Sequence, residues 1–198
     1  MDIKTNKDDF IRTMIEFEKK IQDSMMMPSE IDKYRENDKN HSKKMFKDLF
    51  DKKAAIHIFC KYILIRMAED KGSISKKLNS QGIENWRRMS KNLKNEYIML
   101  FQISCDDLKR ERPYHDIFVD TVYDSLIPQI RNLVNPKEDG SNSGYIEKLK
   151  DYDFGTIDAN TIMEIFGEIY SENDRKNLRD FFEPSPVIEK VLSMIGLK

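Results

Sequence analysis

Four cations share the polar face of the stretch "IENWRRMSKNLKNEY": Arg87, Arg88, Lys91 and Lys94. Basic side chains gathered on one side of a helix can do one kind of chemistry. They neutralise backbone phosphates, with an affinity that falls with salt and carries no sequence information. A solvated helix surface has the same composition and is the commoner origin of a charge run, so both readings stand. Elsewhere the residues that make or break covalent bonds are not arranged to do so. Carboxylates are scattered singly over helix-period segments, and there is no GxSxG elbow, HExxH pair, phosphate-binding glycine loop or GxGxxG turn. His57 lies in an apolar stripe with no second ligand at helical spacing and reads as a core or helix-edge histidine. Met25–Met27 have no Cys or His nearby and read as core or loop filler rather than a soft-metal site. Cys60 and Cys105 stand far apart among apolar neighbours, without a CxxC pair or a secretory signal. That usage predicts reduced, buried thiols in a cytoplasmic protein. No catalytic residue and no metal site is predicted.

The elements that would position the four cations are helices. The 198 residues are 35% charged and 39% hydrophobic, polar for a globular chain but rich enough in apolar side chains to build a core. Charge is uneven along the chain. Residues 54–112 hold 12 basic and 7 acidic side chains, whereas residues 113–198 hold 9 and 16. The longest apolar run, "YILI", is far too short to span a bilayer, so no membrane partner is expected.

Phe10, Met14, Phe17 and Ile21 form one helical stripe over 7–24, with Thr5 as a capping candidate. "MFKDLFDKKAAIHIFCKYILIRMAEDKG" is apolar on most faces, the pattern of a helix in the middle of a bundle, and Gly72 marks its end. Within it Arg66 can pair with Glu69 or Asp70. Ile83, Trp86, Met89, Leu93, Tyr97 (or Leu100) and Phe101 predict one amphipathic helix over 82–103, whose opposite face carries the four cations. Pro113 makes "RERPYHDIF" a connector, and a helix over 116–127 is expected to stop before Pro128. Further helices are predicted at 145–152, after the N-cap candidate Asp158, and after Ser185 with Pro186 at the first helical position. The expected fold is all-α, an irregular multi-helix bundle of about seven to nine helices. It divides into a helical lead-in and loop at 1–44, a helical bundle with a basic face at 45–135, a loop at 136–144, and helices at 145–198.

Four stretches in order resemble the N-terminal helical region of large adenine-specific DNA methyltransferases of the type II restriction–modification and phage-defence kind. They are "YILIRMAEDKGSI", "ISKKLNSQGIENWRRMSKNLKNEYIMLFQISCDD", "YDSLIP", and "LKDYDFGTIDANTIMEIFGEIYSENDRKNLRDFFEPSPVIEKVL". The resemblance covers about residues 45–198. It implies that Phe181, Phe182, Glu183 and Pro184 match the family's Phe-Tyr-Thr-Pro segment, one wall of the S-adenosylmethionine pocket. Phe182 stands for the family's Tyr, Glu183 for its Thr and Asp180 for a usual Gly.

The family's glycine-rich cofactor motif and Asn-Pro-Pro-Tyr catalytic motif would follow Lys198. The chain is therefore expected to be an inactive helical region that braces a methyltransferase domain in cis. It would touch DNA weakly through Arg87, Arg88, Lys91 and Lys94, with S-adenosylmethionine the cofactor of the parent enzyme and no tight binding by this chain. One stripe of the last helix, through Val187, Val191 and Met194 or the residues beside them, is expected to lie exposed or to be buried by another copy, giving self-association. The alternative is a stand-alone helical protein-interaction module. A nuclease half is disfavoured, because residues 1–44 are too short for the strands such a domain needs.

Overall fold

A helix that is apolar on nearly every face can be satisfied only by neighbours on all sides, and the architecture follows from that requirement. The computed structural model describes residues 6–25, 35, 42–89, 97–135, 144–172, 174 and 185–194. In chain order the elements are α1 (Lys7–Ser24), α2 (Lys43–Asp70), α3 (Ser80–Met89), α4 (Tyr97–Arg110), a 3-10 segment (Val122–Ile130), α5 (Arg131–Val134), α6 (Tyr145–Leu149), a 3-10 turn (Phe154–Thr156), α7 (Ala159–Ile169) and α8 (Pro186–Met194). The described residues thus form an all-α bundle of eight α-helices and two 3-10 pieces, with no strand. No helix among them is long and apolar enough to cross a membrane.

α2 is the central rod. Ser42 starts it, its hydroxyl accepting the Met45 N–H at 3.2 Å. From Lys53 to Glu69 every residue is buried, and α1, α4, α8 and both 3-10 pieces pack on it. Phe17 of α1 stacks on Tyr145 at 4.8 Å and meets Tyr62 of α2 edge-on at 5.4 Å. Phe154 stands edge-on to Phe10 at 5.3 Å and to Tyr62 at 5.8 Å. Each such buried ring contributes about 1.5–3 kcal/mol by leaving water. α7 begins as its sequence predicts, with the Asp158 carboxylate accepting the Thr161 N–H at 2.7 Å.

Five expectations are corrected. Over the expected 82–103 the described helices are α3, Ser80–Met89, and α4, Tyr97–Arg110, which runs past the expected end; residues 90–96 lie outside the described residues. Met89, placed on the buried stripe by its spacing, is 76% exposed in that last turn of α3. The helix expected over 116–127 is absent at 116–121, which are turn and irregular chain, and Pro128 lies inside the 3-10 segment that follows. There the i→i+3 pattern spares the ring the i−4 carbonyl it would strike in an α-helix. Asn6 rather than Thr5 precedes α1, without a side-chain cap, and Thr5 is outside the described residues. The last helix is not left bare: Val187, Ile188 and Val191 of α8 are buried against α2, and Leu192 and Met194 pack partly on the core. Because α2 is apolar all round, it offers α8 a face within the same chain. The stripe assigned to self-association is therefore already covered at Val187 and Val191.

Candidate nucleic-acid interface

The basic turn of α3 is aimed by a buried polar hub at the C-terminal end of α2. α2 stops in a Schellman turn: the Ser73 N–H reaches the Ala68 carbonyl at 2.8 Å and the Gly72 N–H that of Glu69 at 3.1 Å. Gly72 takes the left-handed conformation, φ +73°, that this turn requires. Just inside the turn lies Arg66, 0% exposed. Its Nη1 donates to the Leu149 carbonyl at 3.0 Å, and its Nη2 donates to the Tyr152 carbonyl at 2.8 Å and to Asp70 Oδ2 at 3.0 Å. The guanidinium also lies 4.6 Å from the Phe154 ring centroid. Asp70 accepts the Phe154 N–H at 2.9 Å and the Asn79 amide at 3.1 Å. Glu69, 3.7 Å from Arg66 Nε, accepts the Lys77 and Leu78 N–H groups at 3.0 Å. Burial pushes the Glu69 carboxyl up to about 7 against the pull of Arg66 and those amides.

This hub leads directly to α3. Asn79 is its N-cap, with Oδ1 accepting the Gly82 N–H at 3.0 Å. Gly82 has no room for a side chain, since a Cβ there would lie 2.3 Å from Lys77 Cα. The glycine lets α3 start against the chain that Glu69 holds. About two turns of helix then carry Arg87 and Arg88 to the surface.

At the surface the two arginines differ. Arg87 has a 43% exposed side chain, and its Nη2 donates to Glu147 Oε2 of α6 at 2.8 Å. Its Nε donates to the Tyr97 hydroxyl at 2.9 Å, and Tyr97 donates in turn to the same Glu147 oxygen at 3.0 Å. Lys150 pairs with the other oxygen, Oε1. Burial would raise Glu147, but Lys150, Arg87 and Tyr97 outweigh it and hold the carboxyl below its ordinary value. Burial and the neighbouring Glu147 push Tyr97 up to about 12, so it remains a donor. Arg88 is exposed and donates to Asn85 one turn back. Lys148 of α6 is also exposed, with its ammonium 4.6 Å from the Tyr145 ring centroid. Sequence spacing identified Arg87 and Arg88 but not Tyr97, Glu147 or Lys150. These come from other segments, and only packing brings them together. Lys91 and Lys94, and the four residues matched to the cofactor wall, Phe181, Phe182, Glu183 and Pro184, lie outside the described residues.

A second cluster has the residue types of a nucleophilic triad. His57 Nδ1 is 2.7 Å from Ser185 Oγ, and its Nε2 is 3.3 Å from Asp124 Oδ2 and from Thr121 Oγ1. Lys61 pairs with Asp124 Oδ1, and the Thr121 N–H and hydroxyl donate to Oδ2 at 2.8 and 2.9 Å. Burial would raise Asp124, but the His57 and Lys61 contacts overcome it and hold its carboxyl far below the usual range. Burial lowers His57, and the distances suit the tautomer with its proton on Nε2 toward Asp124 and Nδ1 accepting from Ser185. Two features argue against catalysis. His57 and Ser185 are 0% and 3% exposed, and the residue after Ser185 is Pro186, which has no N–H to offer a developing oxyanion. The cluster instead joins α2, the 3-10 segment and the start of α8.

No protein-family model, curated protein or solved structure matches this chain.

Proposed function

We propose that this chain is the N-terminal helical region of a cytoplasmic, adenine-specific DNA methyltransferase of the restriction–modification or phage-defence kind. Its α3 face makes sequence-independent contacts with the DNA backbone, while the bundle braces a catalytic domain in cis that binds S-adenosylmethionine. One observation supports the reading: the four stretches that resemble the family, spread between Tyr62 and Leu192, pack around α2, to which the first belongs. Arg66, Glu69 and Asp70 of the first hold Lys77, Leu78 and Asn79 of the second, and Leu149, Tyr152 and Phe154 of the fourth. Asp124 of the third meets His57 and Lys61 of α2. Ser185, also from the fourth, meets the same histidine.

The exposed end of α3 is where such a scaffold would meet phosphate. Arg87 and Arg88 carry that role, joined in the proposal by Lys91 and Lys94. Contacts of this kind weaken as salt displaces them. A labelled duplex of arbitrary sequence, titrated with the chain at low and at moderate salt and followed by fluorescence anisotropy, tests the reading. Binding at low salt that collapses at moderate salt is expected. No binding at low salt would overturn it.

A further inference from the structure

We propose that Glu147 is a built-in competitor for the phosphate-contacting face, holding Arg87 against the protein until a polyanion displaces it. The inference rests on the reading of that face as a backbone-contact surface, and it adds a control on its strength. Glu147 has three partners: Arg87 at 2.8 Å, the Tyr97 hydroxyl at 3.0 Å, and Lys150. If Arg87 turns outward, Lys150 and Tyr97 still satisfy the carboxylate, and Tyr97 still has its acceptor. No buried charge is orphaned, so the exchange meets no large desolvation penalty.

Arg87 is half-exposed and can reach a phosphate by side-chain rotation alone. A phosphate offers its guanidinium a two-pronged hydrogen bond that the shared Glu147 oxygen does not. The resting pair is of the half-exposed kind, worth up to about 1 kcal/mol, which corresponds to roughly a fivefold ceiling on the competition. Glu147 thus sets a threshold on Arg87, weak enough to be overcome by a dense line of phosphates and strong enough to discourage isolated anions.

The test is a double-mutant cycle on the full chain, read by anisotropy with a labelled duplex at low salt. Glu147→Gln is expected to tighten binding about threefold, and the gain is expected to vanish in the Arg87→Ala background. Glu84→Gln, an equal change of charge on the exposed surface of α3, is the control. Whatever gain it gives should persist in that background. Thermal unfolding verifies that each variant folds. If Glu147→Gln does not, Tyr97→Phe removes the other anchor of Arg87 without altering charge and should tighten binding by a smaller factor. Duplex binding by the wild type with no gain in Glu147→Gln, or a gain that survives loss of Arg87, overturns the role of Glu147 alone. Failure of every variant to bind duplex removes the backbone-contact reading as well.

Discussion

Arg66 and Arg87 are built from the same parts and set to opposite uses. Each guanidinium faces a carboxylate and an aromatic ring: Asp70 and Phe154 for one, Glu147 and Tyr97 for the other. Arg66 is sealed from solvent and also holds the carbonyls of Leu149 and Tyr152. Arg87 has one carboxylate, one hydroxyl and open water. The difference is one of consequence. Removing Arg66 takes the paired cation from buried Glu69 and from Asp70 and a donor from the Leu149 and Tyr152 carbonyls, whereas moving Arg87 leaves Glu147 with Lys150 and Tyr97. A buried arginine with every partner inside the chain is architecture, and a half-exposed one with a replaceable partner is available to a ligand.

The sharpest way to break this comparison is to delete each arginine and measure stability. Arg66→Ala is expected to cost at least about 3–5 kcal/mol, the range for breaking a buried pair, and so to remove most or all of the cooperative unfolding transition. Arg87→Ala is expected to cost under about 1 kcal/mol by the same urea titration. Equal losses would mean that the two sites do not differ in kind.

Carboxylates extend the comparison. Glu147 has cations beside it and is held below its ordinary value. Glu18 of α1 is buried, and among the described residues the Tyr170 hydroxyl is its hydrogen-bond donor and its second oxygen has none. Burial pushes Glu18 up to about 7 despite that bond, from an ordinary 4.5. Because its folded pKa is raised, the folded state binds the extra proton between those two values. The Glu18 contribution is therefore largest at the acid side of this window and falls as pH rises through it, levelling above about 7, while His57, lowered by burial, works with the opposite sign below its ordinary value. The loss reaches at most about 3 kcal/mol for Glu18, and Glu69 adds a change of the same sign. Glu147 works the other way, contributing stability above its ordinary value that is lost at acid pH. Urea midpoints from pH 5 to 8 should show the fall, and Glu18→Gln should flatten it. An unchanged slope in that variant would show that Glu18 is not held neutral.

Much of the fold was legible because it depends on local rules. Phe10, Met14, Phe17 and Ile21 are all buried at the spacing that predicted them. Asp158 caps α7, Gly72 ends α2, and Arg66 pairs with Glu69 and Asp70 as their i+3 and i+4 positions suggest. What periodicity could not reveal is tertiary. The 82–103 stripe keeps its helical period past Met89, yet that residue faces solvent, because only the fold decides which turn still has a neighbour. His57 read correctly as a core residue, but its ties to Asp124 and Ser185 span 67 and 128 positions and leave no local signal. The covering of α8 by α2 was hidden for the same reason. At the candidate interface the cations of α3 were readable from their spacing, and the carboxylate that restrains one of them was not.

The central claim is that the exposed end of α3 touches nucleic-acid backbone, and one measurement addresses it most directly. Duplex affinity is recorded over a salt series for the wild type and for the Arg87→Ala, Arg88→Ala double variant, alongside their melting temperatures. The account predicts closely similar melting temperatures, weaker binding, and a salt slope reduced by up to about 1.8, or about 0.9 for each phosphate no longer neutralised. Unchanged affinity and slope in a well-folded double variant would contradict it.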